Sequence, residues 1–193
     1  HPEHISWYQL TLEPNTVIYK KPPKLPSEET AYHLEQEGFQ LLQKQGYQRY
    51  EISAFCKSDK KALHNMNYWY YGDYYGIGAG AHSKLTAHDQ QIHRLRKQRQ
   101  PGDYLSEQKP FLAEKTCIQP PDLIFEFMLN TTRLQEPIKK SLFTDRTSLS
   151  LERLTGPLTL AEKKGLIEIN DSHWQVTPLG RRYTNDLQML FLP

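Results

Sequence analysis

Residues 5–53 restrict the fold more than any other part of the chain. Ile5-Ser6-Trp7-Tyr8-Gln9-Leu10-Thr11-Leu12 alternates and is rich in β-favouring residues, so it reads as a strand. Pro14, Pro22, Pro23 and Pro26 make the next segment a loop with Lys20, Lys21 and Lys24 solvated. Ser27 followed by Glu28 and Glu29 starts a helix, because carboxylates favour the positive end of the helix dipole. The helix runs to about Gln45, with Leu34, Phe39, Leu41 and Leu42 on its buried side and Gly46 as its C-cap. Tyr47–Ser53 reads as the next strand. Strand, helix, strand at this spacing is the unit of a parallel sheet. Residues 1–86 are therefore expected to form the last β/α portion of an open or closed barrel.

Gln91–Gln98 reads as a strand, and Pro101-Gly102-Asp103-Tyr104 as a turn or short helix. The pattern changes near Pro120-Pro121. From Asp122, Leu123, Phe125, Phe127, Met128, Leu129 and Leu134 recur at helical spacing, and Ile138–Phe143 is a short amphipathic element. Leu149–Lys164 follows as a helix with Leu151, Leu154, Leu158, Leu160 and Ala161 inward, weakened at Gly156-Pro157. Leu166–Ile169 and His173–Val176, joined through Asn170-Asp171, form a hairpin. Thr177-Pro178 caps a last helix, Leu179–Phe191. The expected organisation is a barrel portion with its connecting segment over 1–118, then a mainly helical, winged-helix-like domain over 119–193.

At 193 residues the chain can bury roughly 70% of its unfolded surface. An apolar fraction of 37% and a mean hydropathy of −0.74 put much of its chemistry on aromatic and charged side chains. A net charge of +2 argues against nucleic-acid binding through bulk electrostatics. The small excess lies at Arg94, Arg96, Lys97 and Arg99, which reads as a solvated strand face, with an anionic ligand or membrane surface as the alternative. The winged-helix-like part carries Arg153, Lys163 and Lys164 against Glu152 and Glu162, too balanced to read a groove, so no DNA partner is expected. Cys56 and Cys117 provide neither a disulfide framework nor metal-ligand spacing. No bilayer-spanning run or signal peptide is visible. The chain opens at His1 directly into a strand, so it is expected to be the C-terminal part of a longer protein.

The densest chemistry follows Arg49. Six of the 22 aromatic residues fall between Tyr68 and Tyr75, and three of the ten glycines between Gly76 and Gly80. An aromatic cluster beside a histidine, followed by a glycine loop, suits a large flat ligand. His64 is the sharpest candidate, since neutral imidazole is a common axial ligand of haem iron. Tyr68 and Trp69 offer rings for a porphyrin face, and Asn65 could orient His64 or bond a propionate. The plainer reading is a turn at His64-Asn65 and an aromatic core patch at Tyr68–Tyr75. Gly76-x-Gly78-x-Gly80 lets backbone approach a ligand and frees N–H groups, or is simply a tight strand-end loop. Glu51 ends a strand where barrel active sites collect, and either accepts from a ribose or amine or faces solvent. His82 reads as a ligand or, more simply, a loop histidine. Cys56 lacks the paired His and Asp that a nucleophile needs.

Taken together, these residues resemble a known family. His4-Ile5-Ser6-Trp7-Tyr8-Gln9-Leu10-Thr11-Leu12-Glu13-Pro14-Asn15-Thr16, Gly46-Tyr47 with Tyr50-Glu51-Ile52-Ser53, His64-Asn65-x-x-Tyr68-Trp69, and Gly76-Ile77-Gly78-Ala79-Gly80-Ala81-His82-Ser83 carry it. The family is the radical S-adenosylmethionine proteins related to oxygen-independent coproporphyrinogen III oxidase, and the His-Asn-x-x-Tyr-Trp motif resembles its haem-chaperone branch. The resemblance implies a partial β/α barrel holding a [4Fe-4S] cluster and S-adenosylmethionine, with a C-terminal domain over its mouth. It implies haem contact at His64, with Asn65, Tyr68 and Trp69 beside it. It implies an S-adenosylmethionine vicinity at Glu51, Ser53 and Ala54 and at Gly76, Ile77, Gly78 and Ala79. It also implies haem or porphyrin as ligand, a haem-requiring respiratory protein as acceptor, and a cytoplasmic location with the inner membrane face as a candidate place of work. An exposed edge at Ile5–Leu12 would permit self-pairing into a homodimer. The enzyme alternative within the family is a coproporphyrinogen III dehydrogenase. The family's Cys-x-x-x-Cys-x-x-Cys motif is absent from these 193 residues, so the chain alone is expected to hold no cluster, have no catalytic residue and do no radical chemistry.

Overall fold

A computed structural model describes residues 2–193. The chain forms two compact units, up to Ala62 and from Leu63 onward.

The first unit contains β1 (His4–Ser6), α1 (Val17–Lys20), α2 (Glu28–Lys44), β2 (Gln48–Arg49) and β3 (Ala54–Cys56). The Ser27 side chain accepts the Thr30 N–H at 3.2 Å and starts α2 where the sequence places it. Gly46, at φ 82°, ends the helix: its N–H reaches the Gln43 carbonyl and the Tyr47 N–H the Leu42 carbonyl. This is the glycine-dependent C-cap in which two orphan carbonyls are satisfied.

The expected parallel pairing is replaced. β3 lies between β1 and β2 and is antiparallel to both, with Ile5 opposite Phe55 and Arg49 opposite Phe55. The reason is a reversal at Tyr50–Ser53, closed by the Tyr50 N–H on the Ala54 carbonyl at 3.1 Å, which folds the chain straight back along itself. Residues 7–12 are not a strand; only the Trp7 N–H continues the pairing, onto the Ser53 carbonyl. On α2, Leu34 and Leu41 are exposed rather than buried. The helix packs instead through Phe39, in ring contact with Trp7 at 5.7 Å and Phe55 at 5.5 Å. Trp7 covers Gly38, where any Cβ would strike the indole.

The second unit opens with α3 (Leu63–Trp69), then β4 (His82–Thr86), β5 (Ile92–Lys97), α4 (Pro101–Tyr104) and β6 (Leu112–Cys117). The three strands form an antiparallel sheet in the order β4-β5-β6. There follow α5 (Pro120–Thr131), β7 (Ile138–Lys139), α6 (Lys140–Thr147), α7 (Glu152–Lys163), β8 (Ile167–Ile169), β9 (His173–Val176), α8 (Pro178–Arg182) and α9 (Thr184–Met189). The expected hairpin is present as β8–β9, and β7 adds a third strand against β9.

α7 runs unbroken through Pro157. Proline there costs one helical hydrogen bond, and Leu154, Leu158 and Ala161, all buried, hold the turns on either side. Leu160, expected inward, is exposed. The last helix is two: Tyr183 leaves helical geometry at φ −112°, ψ 45° and divides α8 from α9. The centre of the unit is Phe127, fully buried, with Phe143 at 5.2 Å, Tyr71 at 5.9 Å and Trp174 at 6.2 Å, all edge-on. Edge-to-face rings at these separations add to the area they bury.

Candidate haem site on helix α3

α3 carries His64-Asn65-Met66-Asn67-Tyr68-Trp69. Met66 is buried and anchors the helix, while His64, one turn before Tyr68, is exposed. The i, i+4 spacing puts the two rings together, at 4.6 Å between centroids and 87° between planes. Tyr68 in turn meets Tyr74 at 4.6 Å, again edge-on. His64, Tyr68 and Tyr74 thus form a ladder of three rings. The His64 ring makes no hydrogen bond among the described residues, so its nitrogens are available to an incoming ligand.

Trp69 turns to another side. The Arg133 guanidinium lies 4.3 Å over its ring, and its buried indole N–H finds no acceptor among the described residues. Tyr70 donates to Glu136. Asn65 is half-buried. The aromatic run therefore divides: Tyr71 enters the core, Tyr68 and Tyr74 stack beneath His64, and Tyr75 faces solvent.

A tight reversal after α3 brings Tyr74 back. Tyr71 adopts φ 55°, a costly left-handed conformation for a bulky residue. The Gly72 N–H closes on the Asn67 carbonyl at 2.7 Å, and a Cβ at Gly72 would strike the Asn67 side chain. Lys84, 2% exposed, reaches into this reversal. Its Nζ donates to the Tyr71 carbonyl at 3.0 Å and to Asp73 Oδ1 at 2.9 Å, and lies 4.1 Å over the Tyr71 ring. Asp73 also accepts from the Thr86 N–H and hydroxyl.

On β5, Arg94 stands opposite Lys84, a like-charge pair that would repel if left alone. Separate carboxylates resolve it. Arg94 pairs with Glu126 on α5 at 2.7 Å and donates to the Tyr74 hydroxyl at 2.7 Å, and the Tyr71 hydroxyl donates to Glu126 at 2.8 Å. Burial pushes the Lys84 ammonium below its usual range, against the pull of Asp73. Burial would raise the Asp73 carboxyl, but bonds from Thr86 and Lys84 outweigh it and hold the group below the usual range. Burial, then the Glu126 charge and hydrogen bond, push the Tyr71 phenol well above its usual range.

This polar network was missed by the sequence reading. The available signal was Lys84 on a β-favouring stretch, with Arg94 on the next strand. The four cations from Arg94 to Arg99 are not one free patch: Arg96 pairs with Glu114 at 3.0 Å, and Lys97 lies 4.5 Å over Phe111, leaving Arg99 exposed.

The glycine loop differs from expectation. The Gly76 N–H is taken by Ser83 Oγ, that of Gly78 by the Tyr104 hydroxyl and that of Gly80 by the Gln98 carbonyl. Gly78 and Gly80 have φ of 108° and 72°, so glycine is required there for backbone geometry. Only the Ile77 and Ala79 N–H groups between them make no hydrogen bond among the described residues, and the Ile77 side chain is exposed. In the first unit, Glu51 is 1% exposed, which removes the solvent-facing reading. Its Oε1 accepts from the Ser53 N–H and hydroxyl at 3.0 and 2.9 Å. Ala54 is buried in β3. Cys56 is buried too, and desolvation raises its thiol pKa, the opposite of an activated nucleophile.

Residues 118–183 match the HemN C-terminal domain. Heme chaperone HemW of Haemophilus influenzae is 42% identical over 191 residues, covering 99% of this chain and 49% of the relative. Heme chaperone HemW of Escherichia coli is 39% identical over 192 residues, covering the whole chain and 50% of the relative. The chain thus spans about half the length of the curated relatives it matches. Among solved structures, coproporphyrinogen III oxidase (HemN) of Escherichia coli, described as a radical SAM enzyme, superposes with a TM-score of 0.73 at 19% identity, over 99% of this chain and 48% of that one. The fold is therefore the C-terminal portion of the HemN fold. Over its length the chain corresponds to the C-terminal half of proteins named heme chaperone HemW, at 37–42% identity, and it carries a match to the HemN C-terminal domain over residues 118–183.

Proposed function

We propose that this chain is the haem-binding half of a haem chaperone that passes haem to a haem-requiring respiratory protein. The observation that carries the reading is His64: exposed, unbonded at its ring nitrogens and standing on the Tyr68–Tyr74 stack. Those features fit haem. The His64 imidazole would supply a nitrogen ligand to the iron, and the neighbouring rings would supply apolar faces for a porphyrin. Asn65 and Trp69 stand on the same helix and are the further proposed contacts. Bound haem would supply iron coordination chemistry, and the residues of this chain hold and orient it. Similarity to proteins named heme chaperone supports this over coproporphyrinogen oxidation, for which the likeness at 19% identity speaks to fold alone.

S-adenosylmethionine and a [4Fe-4S] cluster would belong to the full-length protein. Glu51, Ser53 and Ala54, and separately Gly76 to Ala79, are the proposed contacts for S-adenosylmethionine. The residues present do not fit the cluster: Cys56 is buried, and no group of three His, Cys, Asp or Glu among the described residues could hold a metal. A domain boundary near residue 118, homodimer formation and a cytoplasmic location are carried as parts of the same proposal. No helix among the described residues is long and apolar enough to cross a membrane.

The test is a titration of the chain with ferric haem, read at the Soret band, beside His64→Ala. Saturable binding to the wild type that weakens at least about tenfold in the variant is expected, since loss of even an outer partner of a metal ligand costs about that much. Equal binding by both proteins would remove His64 as the ligand.

A further inference from the structure

We propose that Lys84 is a positioning residue for the haem site, its buried ammonium locking the reversal that delivers Tyr74 to the His64–Tyr68 stack. The inference rests on the haem-binding reading of His64 and deepens it.

Lys84 acts through both its backbone and its side chain. Its N–H and carbonyl pair with the carbonyl and N–H of Tyr74, at 3.1 and 2.9 Å, which fixes where Tyr74 leaves the reversal. Its side chain crosses to the other end of the same reversal, bonding the Tyr71 carbonyl and Asp73 Oδ1. Asn67, on α3 itself, donates to the Asp73 carbonyl at 2.9 Å, so the clamp also grips the helix that carries His64. From the ammonium the path to the ligand is short. Lys84 fixes Tyr71–Tyr74, Tyr74 supports Tyr68, and Tyr68 supports His64, each ring step at 4.6 Å.

Core packing alone does not explain a lysine here. Methionine or leucine would fill the space without the cost of taking an ammonium from water. What only a multi-donor cation supplies is simultaneous bonding of a main-chain carbonyl and a carboxylate across a reversal that contains a left-handed Tyr71. A support of this kind acts on an iron ligand as hydrogen-bonded outer partners do, by fixing its orientation rather than touching the ligand.

The experiment titrates the full chain with ferric haem in wild type, Lys84→Met, Asp73→Asn and Val176→Ala, with thermal midpoints measured in parallel. Val176 is buried on β9, in a different sheet from Lys84, so it reports generic loss of stability. Lys84→Met is expected to weaken haem affinity about tenfold, the scale seen when the outer support of a metal ligand is lost. The Soret maximum should stay at the wild-type position, because His64 is still present. Asp73→Asn should weaken affinity in the same direction by a smaller factor, and decides the matter if Lys84→Met does not fold. Val176→Ala should lower the midpoint and leave affinity unchanged. Wild-type affinity in both clamp variants would overturn the inference, as would affinity that tracks the midpoint in all three. Wild-type protein that binds no haem would instead refute the proposed function, and this inference with it.

Discussion

Replacing Tyr71 by Phe isolates one bond at the centre of the second unit. Tyr71 is 1% exposed, its hydroxyl donates to Glu126 at 2.8 Å, and its ring packs on Phe127 and beneath the Lys84 ammonium. Phenylalanine keeps the ring and both ring contacts, so no cavity forms. What is lost is a hydrogen bond to a charged acceptor, worth about 1.5–3 kcal/mol. Glu126 keeps Arg94 as a partner at 2.7 Å, so its carboxylate is not stranded and the loss falls at the low end, about 1.5 kcal/mol. For a unit of this size that lowers the thermal midpoint by about 6 °C. The cost depends on pH. The folded phenol is held well above its usual range by burial and by Glu126, whereas an unfolded tyrosine ionises near 10. A raised folded pKa gives stability that is complete below about pH 10 and lost as pH climbs beyond it. The gap between wild type and Tyr71→Phe should therefore be full at pH 7 and narrow from pH 10 upward. Urea unfolding of both proteins across pH 7–11 measures it. A variant as stable as wild type at pH 7, or a gap that widens above pH 10, would refute the assignment.

Two further outcomes follow from the packing. Gly180→Ala should cost about 3 kcal/mol in urea unfolding, because the new Cβ meets the Leu166 carbonyl and Val176, and backbone yields less than a side-chain end. A thiol reagent at pH 8 should label Cys117, which is partly accessible, well before Cys56, which should react only once denaturant opens the first unit; equal rates would show that the sheet around Cys56 opens freely.

Much of the local structure was legible from the residues. Ser27 with Glu28 and Glu29, Gly46, and Thr177-Pro178 mark real helix ends because capping is a matter of adjacent backbone groups. The β8–β9 hairpin follows from apolar alternation over a few residues, Ile167 and Ile169 on one strand and Trp174 and Val176 on the other. Strand direction was not legible. The same strand-helix-strand spacing suits a parallel pair or, once Tyr50–Ser53 reverses the chain, two strands flanking an antiparallel third. Nor did spacing reveal that Leu34 and Leu41 would stay exposed while Phe39 and Trp7 closed over the helix.

The candidate site divides in the same way. The sequence by itself determined the proximity of His64 and Tyr68, since four residues on a helix put two rings on one face. It also carried the likeness to the HemW and HemN proteins, through motifs that survive as ordered strings of residues. Only the tertiary structure decided which tyrosine of the run supports that pair, that the glycine loop spends most of its N–H groups internally, and that Lys84 is buried between Asp73 and Tyr71. The physical reason is range. Capping, helical spacing and hairpin formation are governed by groups a few residues apart. The partners of a buried charge are set by strand register and by helices that return from far along the chain, as α5 brings Glu126 to Arg94 and Tyr71.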